Sequence, residues 1–251
     1  IIGDLAHSFG AEYPSGAKVG AVEGITTMDV FSTQAIKLHS SVDGGIMVIH
    51  DPVMYKQARL SRWYGIDREK RATTPGGDFR MEDDISVFGY KMHQNDLNSA
   101  IGLENLKFVD GNLAKVRTIA NYYNEMLKDV KGVELLKIVD GYNPSYWIYT
   151  IKIGSDKPGF MNFMKERGIV TSQTHKRNDV HSTVKRFKCD LPQLDELEKK
   201  IVCIPCGWWI EQADAAFIVE SIKEWCAMTD VQIHPLDVDR DWQGYLNLIT
   251  L

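Results

Sequence analysis

The chain has 251 residues, 44% hydrophobic and 25% charged, the mix of a globular protein with a sizeable core rather than a disordered chain. Its 29 basic and 34 acidic side chains leave a net charge of −5, which gives no basic footprint for a nucleic acid. No apolar run approaches the ~20 residues of a membrane-spanning helix, and four cysteines are too few for a disulfide scaffold, so a cytoplasmic protein without membrane or nucleic-acid partners is expected.

Ile1-Ile2-Gly3 reads as the end of a strand already under way, and the last six residues stop inside an apolar stretch. A fragment cut at both ends is the expectation. Residues 1–60 alternate short apolar runs with glycine-rich turns. Val30-Phe31-Ser32 and residues 45–49 are predicted strands, and residues 53–62 a helix after the Asp51-Pro52 break. Residues 61–90 are polar, with the charge run Arg68-Glu69-Lys70-Arg71 and a loop at 73–78.

Residues 96–128 carry the clearest helical period. Leu97, Ile101, Leu106, Val109, Leu113, Val116, Ala120, Tyr123 and Leu127 recur at steps of three to five. Asn95 and Asp96 suit its N-terminus, and Asp110-Gly111-Asn112 is the expected place for a bend. Residues 133–138 and 146–153 read as strands, the second with Trp147, Tyr149 and Ile151 alternating along it. A short helix follows Asp156-Lys157-Pro158 and stops at Gly168. Residues 201–204 form another apolar strand, and residues 212–226 an amphipathic helix with Ala215, Ile218, Ile222 and Trp225 on one face. The second half is α+β.

Three pieces of chemistry stand in the first 45 residues. Asp4 ends a strand and is followed by Ala6-His7. Ser32 ends another. Lys37 lies five residues later, ahead of Asp43-Gly44-Gly45. Sites of α/β sheets collect where strands end. An acid, a hydroxyl and a lysine there suit pyridoxal phosphate, which needs a lysine for its Schiff base, a carboxylate at its ring nitrogen and donors for its phosphate. Taken singly, each residue reads as a surface charge, a cap or a structural hydroxyl. The ordered set is what carries the signal.

Gly3-Asp4-Leu5-Ala6-His7-Ser8-Phe9-Gly10-Ala11 resembles the E-D-A-A-H-x-x-G-A segment of the DegT/DnrJ/EryC/StrS sugar aminotransferases. Phe31-Ser32-Thr33-Gln34-Ala35-Ile36-Lys37-Leu38 with Asp43-Gly44-Gly45 is similar to their F-S-F-x-x-x-K-x-L-T-T-G-E-G-G. Gly89-Tyr90-Lys91-Met92-His93-Gln94-Asn95-Asp96, with Ala100-Ile101-Gly102-Leu103 and Leu106, resembles G-F-N-Y-R-M-S-E-x-Q-A-A-x-G-L-x-Q-L. Gly168-Ile169-Val170 and His175 resemble a late G-I-x-x-x-x-H. The likeness spans residues 1–226, and the lysine segment is its most specific part.

The resemblance implies a partial fold-type I pyridoxal-phosphate transferase of α/β class. Residues 1–95 would be the C-terminal part of the large cofactor-binding domain. Residues 96–227 would be a small α+β domain with its long connecting helix. Lys37 would carry pyridoxal 5′-phosphate and move protons, a role suited to a lysine whose ammonium is desolvated or held near other cations. Asp4 would pair with the ring nitrogen, Ser32 would bind the phosphate, and His7 would lie against the ring or its phenolic oxygen. For His7 a hydrogen-bonded core histidine is the equal alternative.

The family has asparagine at Lys91, reaching the phosphate from the neighbouring subunit of a homodimer. A lysine can serve the same anion as a point charge. Thr33 replaces an aromatic residue. Dehydrating relatives carry histidine in place of Lys37, so the resemblance implies an aminotransferase with a nucleotide-linked ketosugar and an amino-acid donor such as glutamate. His175 and Arg177 could contact the nucleotide-sugar, with a solvated loop as the equal alternative. The family's upstream phosphate loop and ring-stacking aromatic are absent, so poor cofactor binding by this chain alone is expected.

Cys203 and Cys206 read as buried thiols, because zinc would need two more ligands. Trp208-Trp209 reads as packing. Residues 231–249 resemble the opening of a glucosamine-phosphate-type GNAT acetyltransferase. The alternative to an aminotransferase is therefore a silent cofactor- or sugar-nucleotide-binding module joined to an acetyltransferase.

Overall fold

The computed structural model describes residues 1–69, 84–154 and 156–229. Part of the charge run after Arg68, the 73–78 loop and the acetyltransferase-like segment lie outside them. By its contacts the chain divides into two compact units. One comprises Ile1–Thr118 with Ile138–Trp147, the other Ile119–Lys137 with Ile148 onward. The division falls inside a helix.

The first unit is built on a three-stranded sheet of β1 (Ile2–Asp4), β2 (Met28–Ser32) and β3 (Gly45–Ile49), in that order. β1 runs parallel to β2, so Asp4 stands opposite Val30. β3 runs antiparallel, so Ser32 stands opposite Gly45. The chain between Ser32 and Gly45 therefore returns as a closed loop at the strand ends, and Lys37 lies in it. Helix α1 (Pro52–Ser61) follows β3. Asp51 caps it by accepting from the Met54 N–H at 2.7 Å, and Pro52 takes the first turn, where no amide donor is needed.

The long helical period is two helices, α2 (Asp96–Leu106) and α3 (Val109–Leu127). Asn95 caps α2 by accepting from the Asn98 N–H. The break falls at Lys107-Phe108, not at Asp110-Gly111-Asn112, which lie in the first turn of α3. There a glycine costs little, because the early amides have no partner within the helix. The two stripes also differ. Val109, Leu113, Val116, Ala120, Tyr123 and Leu127 are buried, at alternating steps of four and three, whereas Leu97 and Leu106 are exposed.

The second unit holds an antiparallel sheet of β4 (Val133–Leu135), β5 (Tyr149–Ile153) and β6 (Ile201–Ile204), in that order. Helix α4 (Lys157–Glu166) is capped by Asp156 and stops before Gly168, whose φ of 75° reverses the chain. Helix α5 (Pro192–Lys200) went unread in the sequence. Helix α6 (Gln212–Thr229) buries Ala215, Ile218, Ile222 and Trp225 as its period predicts. The core of this unit joins Ile151 and Ile153 of β5 to Phe160 and Met164 of α4 and to Val202 of β6. Tyr123 donates its buried hydroxyl to the Pro205 carbonyl at 2.9 Å.

One reading changes here. Strand β5 begins at Tyr149, so Trp147 is not a strand residue. Trp208 and Trp209 are exposed and meet edge to face at 5.7 Å, and the Trp209 ring lies over Gly207. Cys203 and Cys206 are buried, as expected of structural thiols. Among the described residues no helix is long and apolar enough to cross a membrane, and no His/Cys/Asp/Glu group could hold a metal ion.

Candidate active site

Asp4, His7, Ser32 and Lys37 all lie at the strand ends of the first unit. Asp4 is the last residue of β1. Its exposed carboxylate accepts from the Ala6 N–H at 3.1 Å, which turns the chain toward His7. Ser32 is the last residue of β2, and its hydroxyl accepts from the Gln34 N–H at 3.3 Å. That contact opens the tight turn in which the Lys37 N–H donates to the Gln34 carbonyl at 2.9 Å.

The lysine loop is fixed from several sides. The Thr33 N–H donates to the Gly44 carbonyl, and the Ser41 N–H to the Thr33 carbonyl. The buried hydroxyls of Thr33 and Ser41 meet at 2.6 Å. From α2, Asn98 donates to the Asp43 carbonyl at 3.0 Å and Asn105 to the Ser40 carbonyl at 2.9 Å. Gly44 sits at φ 145°, a conformation that favours glycine, and a Cβ there would crowd Gln94 Oε1 at 3.0 Å. Beneath the loop, the Phe9 ring meets Phe31 edge to face at 5.6 Å and lies 5.0 Å from His39. Burial holds His39 below the ordinary histidine range, which keeps it neutral.

Burial also pushes Lys37 below the ordinary lysine range, while the Asp4 charge opposes that shift. The residue next to its ammonium is Trp147. Lys37 Nζ lies 3.6 Å from the indole centroid. The same indole stacks on His7, with centroids 3.9 Å apart at 30°, and donates from Nε1 to the Ile36 carbonyl at 2.6 Å. The sequence reading missed this contact, because Trp147 hides in the alternation of residues 146–153. Asn143-Pro144 just upstream was the available turn signal.

The segment Ile138–Trp147 is tied down by Arg117 of α3. The guanidinium donates to the carbonyls of Pro144, Asn143 and Gly10, each at 3.1 Å. Glu12 and Asn143 exchange both backbone hydrogen bonds at 3.0 Å. Ser145 donates its hydroxyl to the His7 carbonyl at 2.9 Å. Hydrogen bonds from Lys18 and Asn143 hold the Glu12 carboxyl below the usual range.

The other predicted residues are placed differently. Lys91 is exposed, and its backbone bridges Trp63. His175 and Arg177 belong to the second unit. His175 is exposed, and its carbonyl accepts from Gln173. The Arg177 side chain is 9% exposed and is met by carboxylates of its own unit. It binds Asp179 through two bonds of 2.6 Å, reaches Asp195, and lies 3.6 Å from Glu198. Hydrogen bonds to Asp179 first, then Asp195, raise its pKa further. Its fork is thus engaged by Asp179 and Asp195. It lines a cleft of about 460 Å³ with Lys188, Asp190, Asp195 and Glu198.

The profile of the DegT/DnrJ/EryC1/StrS aminotransferase family matches residues 1–223. Among solved structures, the sugar aminotransferase CalS13 from Micromonospora echinospora superimposes with a TM-score of 0.80 at 37% identity, covering 89% of this chain and 57% of that one. AtS13 from Actinomadura melliaura gives 0.81 at 36% identity, with the same coverages. Among curated proteins, a UDP-4-amino-4,6-dideoxy-N-acetyl-beta-L-altrosamine transaminase from Campylobacter jejuni is 24% identical over 228 residues, covering 88% of this chain and 57% of that protein. The chain thus spans less than three-fifths of the length of each of these relatives. Residues 231–249 lie beyond the matched range, which lends the acetyltransferase resemblance no support. The architecture is that of the fold-type I transferases, and the chain belongs to the DegT/DnrJ/EryC1/StrS aminotransferase family of pyridoxal-phosphate-dependent enzymes.

Proposed function

We propose that this chain supplies the lysine half of the active site of a pyridoxal-phosphate-dependent aminotransferase. Its substrate would be a nucleotide-diphosphate-linked ketosugar, converted to an aminosugar for polysaccharide or surface-glycan synthesis, with glutamate as donor. One observation carries the reading: Lys37, lowered in pKa by burial, sits at the strand ends with Asp4 in its field and His7 across the Trp147 ring. The donor set fits the cofactor. A lysine amine, an exposed carboxylate, a strand-end hydroxyl and a flat imidazole are the groups that a phosphorylated pyridine aldehyde needs.

When bound, pyridoxal phosphate supplies the electron sink that makes a Cα–H acidic. Lys37 would hold the cofactor through its amine and would take up or give a proton at its Nζ. Asp4 would pair with the ring nitrogen and favour its charged form. Ser32 would donate its hydroxyl to the phosphate. His7, stacked on Trp147, would lie against the ring or its phenolic oxygen. The enzyme would be a cytoplasmic homodimer, with Lys91 reaching the phosphate at the neighbouring subunit. His175 remains the small-domain candidate at the nucleotide-sugar, while Arg177 holds its own segment. Intact Asp4 and Lys37 speak against a silent binding module.

The test is an absorbance spectrum of the protein that carries this chain, with pyridoxal phosphate, before and after borohydride, beside Lys37→Ala. A visible band that borohydride fixes to the chain, and that Lys37→Ala lacks, supports the reading. A folded protein with no band overturns it.

A further inference from the structure

We propose that Trp147 is a positioning residue for Lys37: its indole face docks the ε-ammonium while its edge locks the lysine loop to the His7 turn. Three contacts converge on one side chain. The ring lies 3.6 Å under Nζ, stacks on His7 at 3.9 Å, and donates from Nε1 to the Ile36 carbonyl, one residue before the lysine. Moving Trp147 would therefore displace the lysine, its backbone and the imidazole together.

The chain is strained to place it there. Tyr146 has φ 47°, a left-handed conformation that is unfavourable for a bulky side chain. Such a residue persists only when its surroundings over-determine it. Here they do. Arg117 holds Asn143 and Pro144, Ser145 is bonded to His7, and the Glu12–Asn143 bridge closes the segment. The left-handed residue turns the chain immediately before Trp147.

The electrostatic consequence is specific. Burial disfavours the Lys37 ammonium, and the Asp4 carboxylate favours it. The indole face adds a second attraction for the cation, stronger for tryptophan than for phenylalanine. His7 faces the other contact of the same indole, and His39 in the lysine loop is kept neutral by burial. Trp147 thus sets how readily Lys37 gives up its proton, without touching substrate. Its functional meaning rests on Lys37 being the cofactor lysine, but the contact itself does not.

The test uses the cofactor-free protein and its Trp147→Phe, Trp147→Leu and Trp147→Met variants. Pulse acetylation across the alkaline range, read by mass spectrometry, gives the titration midpoint of Lys37, with exposed Lys115 as internal reference. The midpoint should fall by about half a pH unit in the Leu and Met variants, with Phe between them and wild type. Unchanged or raised midpoints in both aliphatic variants overturn the proposal. The borohydride experiment is run on the same samples. A shifted midpoint with no cofactor band in wild type upholds the Trp147 contact and defeats the aminotransferase reading instead.

Discussion

Ser145 donates its hydroxyl to the carbonyl of His7, 138 residues earlier in the chain, at 2.9 Å. The bond ties the segment that carries Trp147 to the turn that carries His7. Ser145 is buried, and Ser145→Ala removes that bond. The expected cost is about 1–2 kcal/mol. Arg117→Met removes donors from three carbonyls at once and should cost more, about 2–3 kcal/mol. Urea unfolding midpoints measure both, and a cost for Arg117→Met no larger than that for Ser145→Ala would contradict the clamp.

Val42 has φ 69° in the lysine loop and is exposed. A β-branched residue is an outlier there, and the family segment L-T-T-G-E-G-G carries glycine at this place. Val42→Gly relieves the steric strain but adds freedom to the unfolded chain, for a net gain of about 1 kcal/mol. The denaturant midpoint should rise at constant slope.

Lys37 makes stability depend on pH. Its folded pKa is below the ordinary lysine value of 10.5, first because of burial, with Asp4 opposing. Between the two values the unfolded chain binds more protons than the folded one, so stability rises with pH through that window. Relative to Lys37→Met, the wild type should gain stability as pH rises and level off near 10.5. Asp4→Asn removes the opposing charge and should widen the window downward. Thermal midpoints of the three proteins across pH decide it. A difference between wild type and Lys37→Met that stays flat would rule the linkage out.

Burial pushes the Cys206 thiol up to about 12 and the Cys226 thiol up to about 11, while Cys189 is exposed. Thiolate is the reactive form. Iodoacetamide near neutral pH should therefore modify Cys189 in the native protein and leave Cys203, Cys206 and Cys226 to react only after denaturation. Peptide mapping shows which thiols react.

Local signals carried much of this structure. The apolar run at 45–49 is β3, residues 201–204 are β6, and Asp51-Pro52 and Asn95 start their helices as their chemistry requires. Asp4 and Ser32 end their strands where the apolar runs stop, and Lys37 falls in the loop that follows. What stayed hidden depends on distant partners. The break at Lys107-Phe108 follows from α2 and α3 burying different faces, which one continuous period conceals. Trp147 looks like an alternating strand residue until Tyr146 turns left-handed. Arg177 looks available for phosphate until Asp195, eighteen residues on, folds back to it.

The lysine loop is held by uncharged groups: the amides of Asn98 and Asn105, the hydroxyls of Thr33 and Ser41, and backbone bonds. None of them ionises at neutral or moderately alkaline pH, and none is screened by salt as an ion pair is. These bonds frame the loop without an ion pair, so added salt should leave in place the frame that aims Lys37.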